Sequence, residues 1–169
     1  DLSRLAMVDN IDGVQDVCTN YSSIKNIVFD ESFKTYAPTS LREFFKGCET
    51  LETISDLEYL NTAKVTDMGK MFHGCSALTS LDLTNFNTAN VEFMDNMFEG
   101  CSALKSLDLT NFNTAKVTYM SCMFKGCSAL ESLNLTNFNT ENVTDMSWMF
   151  YGCSALKSLD LTNFNTAKV

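Results

Sequence analysis

Four cysteines, Cys75, Cys101, Cys127 and Cys153, fall 26 residues apart, each inside the same five letters, Gly-Cys-Ser-Ala-Leu. A fixed period of this length constrains the fold more than any other feature. It marks a repeat array, in which one unit cannot bury its apolar side alone and needs neighbours above and below. The unit runs Met-Phe-x-Gly-Cys-Ser-Ala-Leu-x-Ser-Leu-Asp-Leu-Thr-Asn-Phe-Asn-Thr-x-x-Val-x-x-Met, and a looser copy begins at Phe45-Lys46-Gly47-Cys48.

The copy that starts at Leu78 shows the expected local structure. Leu81 and Leu83 alternate with Ser80, Asp82 and Thr84, the pattern of a strand with one buried face. Phe86 closes the turn inward. Asn87 and Thr88 are good N-cap types, because their side-chain oxygens accept from first-turn amides. Val91, Met94, Met97 and Phe98 follow at a spacing that predicts a short helix with one apolar stripe. Gly100, like Gly47, Gly74, Gly126 and Gly152, supplies the positive φ of a helix stop. Strands are predicted from Ile24, Leu51, Leu78, Leu104, Leu130 and Leu156.

The chain of 169 residues, 45% hydrophobic, suffices for one domain. Residues 1–22 do not fit the repeat; Leu5, Val8, Ile11 and Val17 give a weakly amphipathic segment read as an N-terminal cap, ahead of an array over 23–169. The array breaks off at Val169, the first apolar residue of a further helix, leaving Leu156, Leu159, Leu161 and Phe164 in a barely covered last rung. This predicts truncation of a longer array, or an end that packs on another molecule, with end-to-end self-association one form of that.

A net charge of −9 with dispersed basic residues disfavours nucleic acid and anionic membranes. No apolar run reaches membrane-spanning length, so direct membrane insertion is not expected. Of seven cysteines, Cys48, Cys75, Cys101, Cys127 and Cys153 recur at one core position and read as a ladder of buried thiols. Disulfides are the rival reading, and metal binding lacks paired C-x-x-C spacing. Cys18 lies in the irregular N-terminal segment. Cys122, in an outward row, is the expected exposed thiol, able to link chains or simply tolerated.

The strings Met-Phe-x-Gly-Cys-Ser-Ala-Leu and Ser-Leu-Asp-Leu-Thr-Asn-Phe-Asn-Thr resemble the 26-residue repeat of BspA-like leucine-rich-repeat bacterial surface proteins. Ile27-Val-Phe-Asp-Glu-Ser-Phe33 and Leu57-Glu-Tyr-Leu-Asn-Thr-Ala-Lys-Val-Thr-Asp-Met68 resemble the usual start of such arrays. The match covers roughly residues 24–169. With the residue pattern it gives the expected fold class: an α/β solenoid, a leucine-rich-repeat-like right-handed stack of strand–turn–short-helix rungs with one parallel β-sheet. The resemblance implies an extracellular or cell-surface location, adhesive or protein-binding roles, and no catalytic residues.

Positions that vary between copies are free to carry specificity. Asp67, Phe93, Tyr119 and Asp145 form one outward row; Lys70, Asn96, Cys122 and Trp148 a second; His73, Glu99, Lys125 and Tyr151 a third. They direct Phe93, Tyr119 and Trp148 toward one region with Tyr151 nearby, either as interface anchors or as passive cover. On the sheet side, Asp82, Asp108, Asn134 and Asp160 form a polar row that reads as structural, or as a surface for protein or glycan. A flat row does not surround a cation, so no metal is expected. No cofactor is expected either, and no phosphate loop, nucleophile elbow or paired-acid cleft points to an enzyme. The predicted function is non-catalytic adhesion to a host or neighbouring-cell protein or glycan. The alternative is a rigid spacer that presents another domain.

Overall fold

A computed structural model describes the backbone of residues 3–5 and all of residues 23–169. Strands β1 (Ser3–Leu5), β2 (Asn26–Phe29) and β3 (Thr53–Ser55) form a parallel sheet with β2 central and Ile27 opposite Ile54. Strands β4 (Ser106–Leu107) and β5 (Ser132–Leu133) form a second parallel sheet, Leu107 opposite Leu133. Short 3-10 helices cover Glu31–Thr35 and Leu57–Tyr59. One continuous sheet was expected, and the segments from Leu78 and Leu156 hold no strand. Leu5 of the expected cap lies in β1; Val8, Ile11, Val17 and Cys18 lie outside the described residues.

The predicted short helices are absent: the described residues contain no α-helix, and 68–75, 94–101 and 120–127 are consecutive turns. The backbone bonds give the reason. The amides of Met68, Lys70, Phe72 and Gly74 donate forward to the carbonyls of Phe93, Asp95, Met97 and Glu99 in the next copy, at 2.7–2.9 Å. Between them, Met71, His73 and Cys75 donate back to Met68, Lys70 and Phe72. Alternate amides therefore hold the turn and hold the neighbour, so these donors are used without a helical ladder. The same scheme repeats from Met94 and Met120.

Two residues per copy take positive φ to make this possible. One is the repeat glycine, at 74–78°. The other is the residue at Lys70, Asn96, Cys122 and Trp148, at 56–59°. Each sits third in a four-residue turn, where type II geometry demands a left-handed residue.

Side chains join the copies as regularly as the backbone does. Phe45, Phe72, Phe98, Phe124 and Phe150 stack in sequence, centroids 5.4–5.8 Å apart and rings within 13° of parallel. The thiols of Cys75, Cys101 and Cys127 are buried and donate to the carbonyls of Phe45, Phe72 and Phe98 at 3.1–3.2 Å. Burial pushes Cys75 up to about 12. Cys48 departs from the expected thiol ladder: it is disulfide-bonded.

Thr88, read as an N-cap, is instead buried; its hydroxyl donates to Asn113 O at 3.0 Å and accepts from Asn113 N at 2.8 Å. Thr114 and Thr140 repeat that pair of bonds. Asn111, Asn137 and Asn163 each donate a side-chain amide to three carbonyls of the preceding copy. In the last copy Leu156, Leu159 and Phe164 are only partly buried and Leu161 is exposed.

Candidate functional surface

With the consensus residues committed to holding copies together, the variable ones form the outer surface of the turn segments. Ser40, Asp67, Phe93, Tyr119 and Asp145 are successive parallel bridge partners, so their side chains rise from one line. Phe93 and Tyr119 stack with centroids 5.7 Å apart and planes within 10°. Phe93 is half-buried, Tyr119 44% exposed. Trp148 and Tyr151 meet edge to face at 4.8 Å and are each 61% exposed. The four aromatics expected in one region thus form two ring pairs on this side.

Trp148 is an unusual occupant of its position. Its φ is 59°, and a bulky side chain in the left-handed region costs about 1–2 kcal/mol. The indole recovers little of that by burial.

Charges beside the aromatics are mostly answered within the chain. Glu43 meets Lys46 at 3.0 Å and Lys70 at 3.6 Å. Glu99 meets Lys125 at 2.8 Å and His73 at 3.5 Å, and accepts from Asn96 Nδ2. Partial burial raises the Glu99 carboxyl, but the bonds from Lys125 and Asn96 outweigh it and hold it below the usual range. His73 thus lies beside the Glu99–Lys125 pair.

A second network was not foreseen. Arg42 Nη1 lies 3.2 Å from Asp67 and its Nη2 2.9 Å from Asp95, a copy further on. Arg42 falls in the same outward register as Gly69 and Asp95, a signal that becomes visible once the loose first copy is aligned.

Cys122 corrects another expectation: it is half-buried, not freely exposed, and free of any disulfide. Burial, then Glu99, raises its thiol pKa above the ordinary value.

On the sheet side, Asp82, Asp108, Asn134 and Asp160 are all exposed. Each side-chain Oδ1 accepts from the amide two residues on, at Thr84, Thr110, Thr136 and Thr162, at 2.9–3.1 Å. The first three also accept the threonine hydroxyl at 2.7–2.8 Å. These bonds to their own threonines lower the pKa of Asp82, Asp108 and Asp160. The row therefore builds turns, and Asn134 serves as well as aspartate. Above it lies an open depression of about 530 Å³ edged by Ser106, Ser132 and Ser158. Among the described residues no three His, Cys, Asp or Glu side chains converge as metal ligands, and no helix is long and apolar enough to cross a membrane.

A family described as "Mycoplasma protein of unknown function, DUF285" matches residues 13–108 and 99–169. No curated protein and no solved structure matches the chain.

Proposed function

The chain belongs to the DUF285 family, and we propose that it is a non-catalytic binding module of a BspA-like bacterial surface protein. In this reading its copies form a leucine-rich-repeat type of solenoid, and the turn side carries the contact with an extracellular protein or glycan. The observation that carries it is Trp148: a large aromatic held in a left-handed backbone, beside Tyr151, with both rings mostly in water. The left-handed backbone belongs to the repeat, but a large exposed ring there is buried against nothing but Tyr151, which points to a role outside the fold. Tryptophan and tyrosine are also the residues that most often anchor interfaces.

Two observations favour a non-catalytic, extracellular assignment. Glu43, Lys70, Glu99 and Lys125 on the turn side are tied in ion pairs, and the sheet-side acids in their own turns. Cys48 is disulfide-bonded, which suits an oxidising compartment. The regularity of the inter-copy bonds favours the second reading, a rigid spacer.

Binding to an array of extracellular-matrix proteins, mucins and glycans, with Trp148→Ala and Asp108→Ala in parallel, tests the proposal. A saturable hit lost in Trp148→Ala supports it. A hit lost only in Asp108→Ala moves the contact to the sheet side, and silence across the array favours the spacer.

A further inference from the structure

We propose that Tyr119 and Asp145 form a receptor for an arginine side chain of a protein partner. The inference rests on the binding-module reading and names what the surface recognises.

Three observations converge. Phe93 covers one face of Tyr119, while the row neighbour on the other side is Asp145, which brings a carboxylate instead of a ring. Asp145 is held in place by Ser147 N, which donates to its Oδ1 at 2.9 Å, and among the described residues it has no ion-pair partner. The bonds from Ser147 also keep this carboxyl ionised.

Asp67, in the same row, shows what such a site accepts. It has the same local bond, Gly69 N to its Oδ1 at 2.8 Å, and there the Arg42 guanidinium closes on the carboxylate. Asp145 faces Ser121 and Ser147 where Asp67 has Arg42 and Gly69, so its charge is left for an outside cation. A planar guanidinium stacks on an aromatic face while pairing with a carboxylate, which an ammonium does less well. The chain's net charge of −9 draws such a partner in.

Trp148 is the chain's one tryptophan and lies three residues from Asp145 in sequence, so its emission serves as one readout. The test titrates the whole chain with an acetylated hexa-arginine amide at low ionic strength, read by Trp148 emission and by calorimetry. Hexalysine serves as the second probe. Asp145→Asn, Tyr119→Ala and Asp108→Asn are compared with the unaltered chain. The last removes the same charge from the sheet side, where Asn134 shows the fold to accept it.

The proposal requires saturable binding, at least about tenfold weaker in Asp145→Asn and Tyr119→Ala, unchanged in Asp108→Asn, and stronger for arginine than lysine. No saturable binding, equal loss in Asp108→Asn, or equal affinity for hexalysine would overturn it. The array separates this from the broader reading. A hit that survives Asp145→Asn but not Trp148→Ala sinks the arginine receptor alone, and silence sinks the binding module.

Discussion

Arg42 reaches over Gly69 to pair with Asp95, its guanidinium Nη2 2.9 Å from the carboxylate. A Cβ built on Gly69 would lie 2.2 Å from Arg42 Nη1 and 2.8 Å from Asp95 Oδ1. Glycine here leaves the guanidinium its place over the backbone. Gly69→Ala should displace the guanidinium and cost about 1 kcal/mol, the scale of a partly exposed charged pair. Urea unfolding of Gly69→Ala, Arg42→Ala and the double variant checks this. The glycine effect should vanish once Arg42 is gone, and simple additivity would disprove the relationship.

The buried threonines should matter to stability through their hydrogen bonds between copies. Thr114→Val keeps the shape but leaves Asn139 N without its acceptor and Asn139 O without that hydroxyl. An unsatisfied buried amide costs about 1–3 kcal/mol. Chemical denaturation should show a loss in that range. Thr110→Val, at an exposed position, should cost less.

Thiol labelling distinguishes the cysteines. Native protein at pH 8 should react first at Cys122, more slowly at half-buried Cys153, and at Cys75, Cys101 and Cys127 only after unfolding, because burial raises those thiols. Peptide mapping after brief alkylation reads the order. Early modification of Cys101 would contradict the core assignment.

Acid should destabilise the fold partly through Glu99. Its folded pKa lies below its ordinary value, so its contribution is fully present above the unfolded pKa, near 4.3. It is lost as pH falls through the folded value. Thermal midpoints between pH 7 and pH 3 should therefore fall less steeply in Glu99→Gln than in the unaltered chain. Parallel curves would remove Glu99 from the explanation.

Much of the core was legible in the sequence. Leu83, Phe86, Val91, Met94, Met97, Phe98 and Leu104 are all buried as the repeat pattern indicates, and the five repeat glycines take the positive φ expected of them. That turns stand where helices were predicted was not legible. Apolar residues spaced at three and one fit one face of a helix, but they also fit successive turns that close every few residues. What selects the turns is the bonding of Met68, Lys70, Phe72 and Gly74 to the next copy, a non-local fact. The left-handed row was hidden for a related reason. Asn96 alone carries a composition signal for it, whereas Lys70, Cys122 and Trp148 are held there by their neighbours. The aromatic surface was foreseen as residues but not as two ring pairs, and Arg42 lay outside the clean copies.

The proposed separation of scaffold from binding surface meets its most direct test at Trp148. Trp148→Asn puts there the residue that Asn96 already provides in the same left-handed conformation. Thermal unfolding and binding to the partner found on the array should be measured on the same sample. We predict a thermal midpoint a few degrees higher, from relief of about 1 kcal/mol of strain, together with loss of binding. A variant that unfolds earlier, or that binds as the unaltered chain does, would contradict the account.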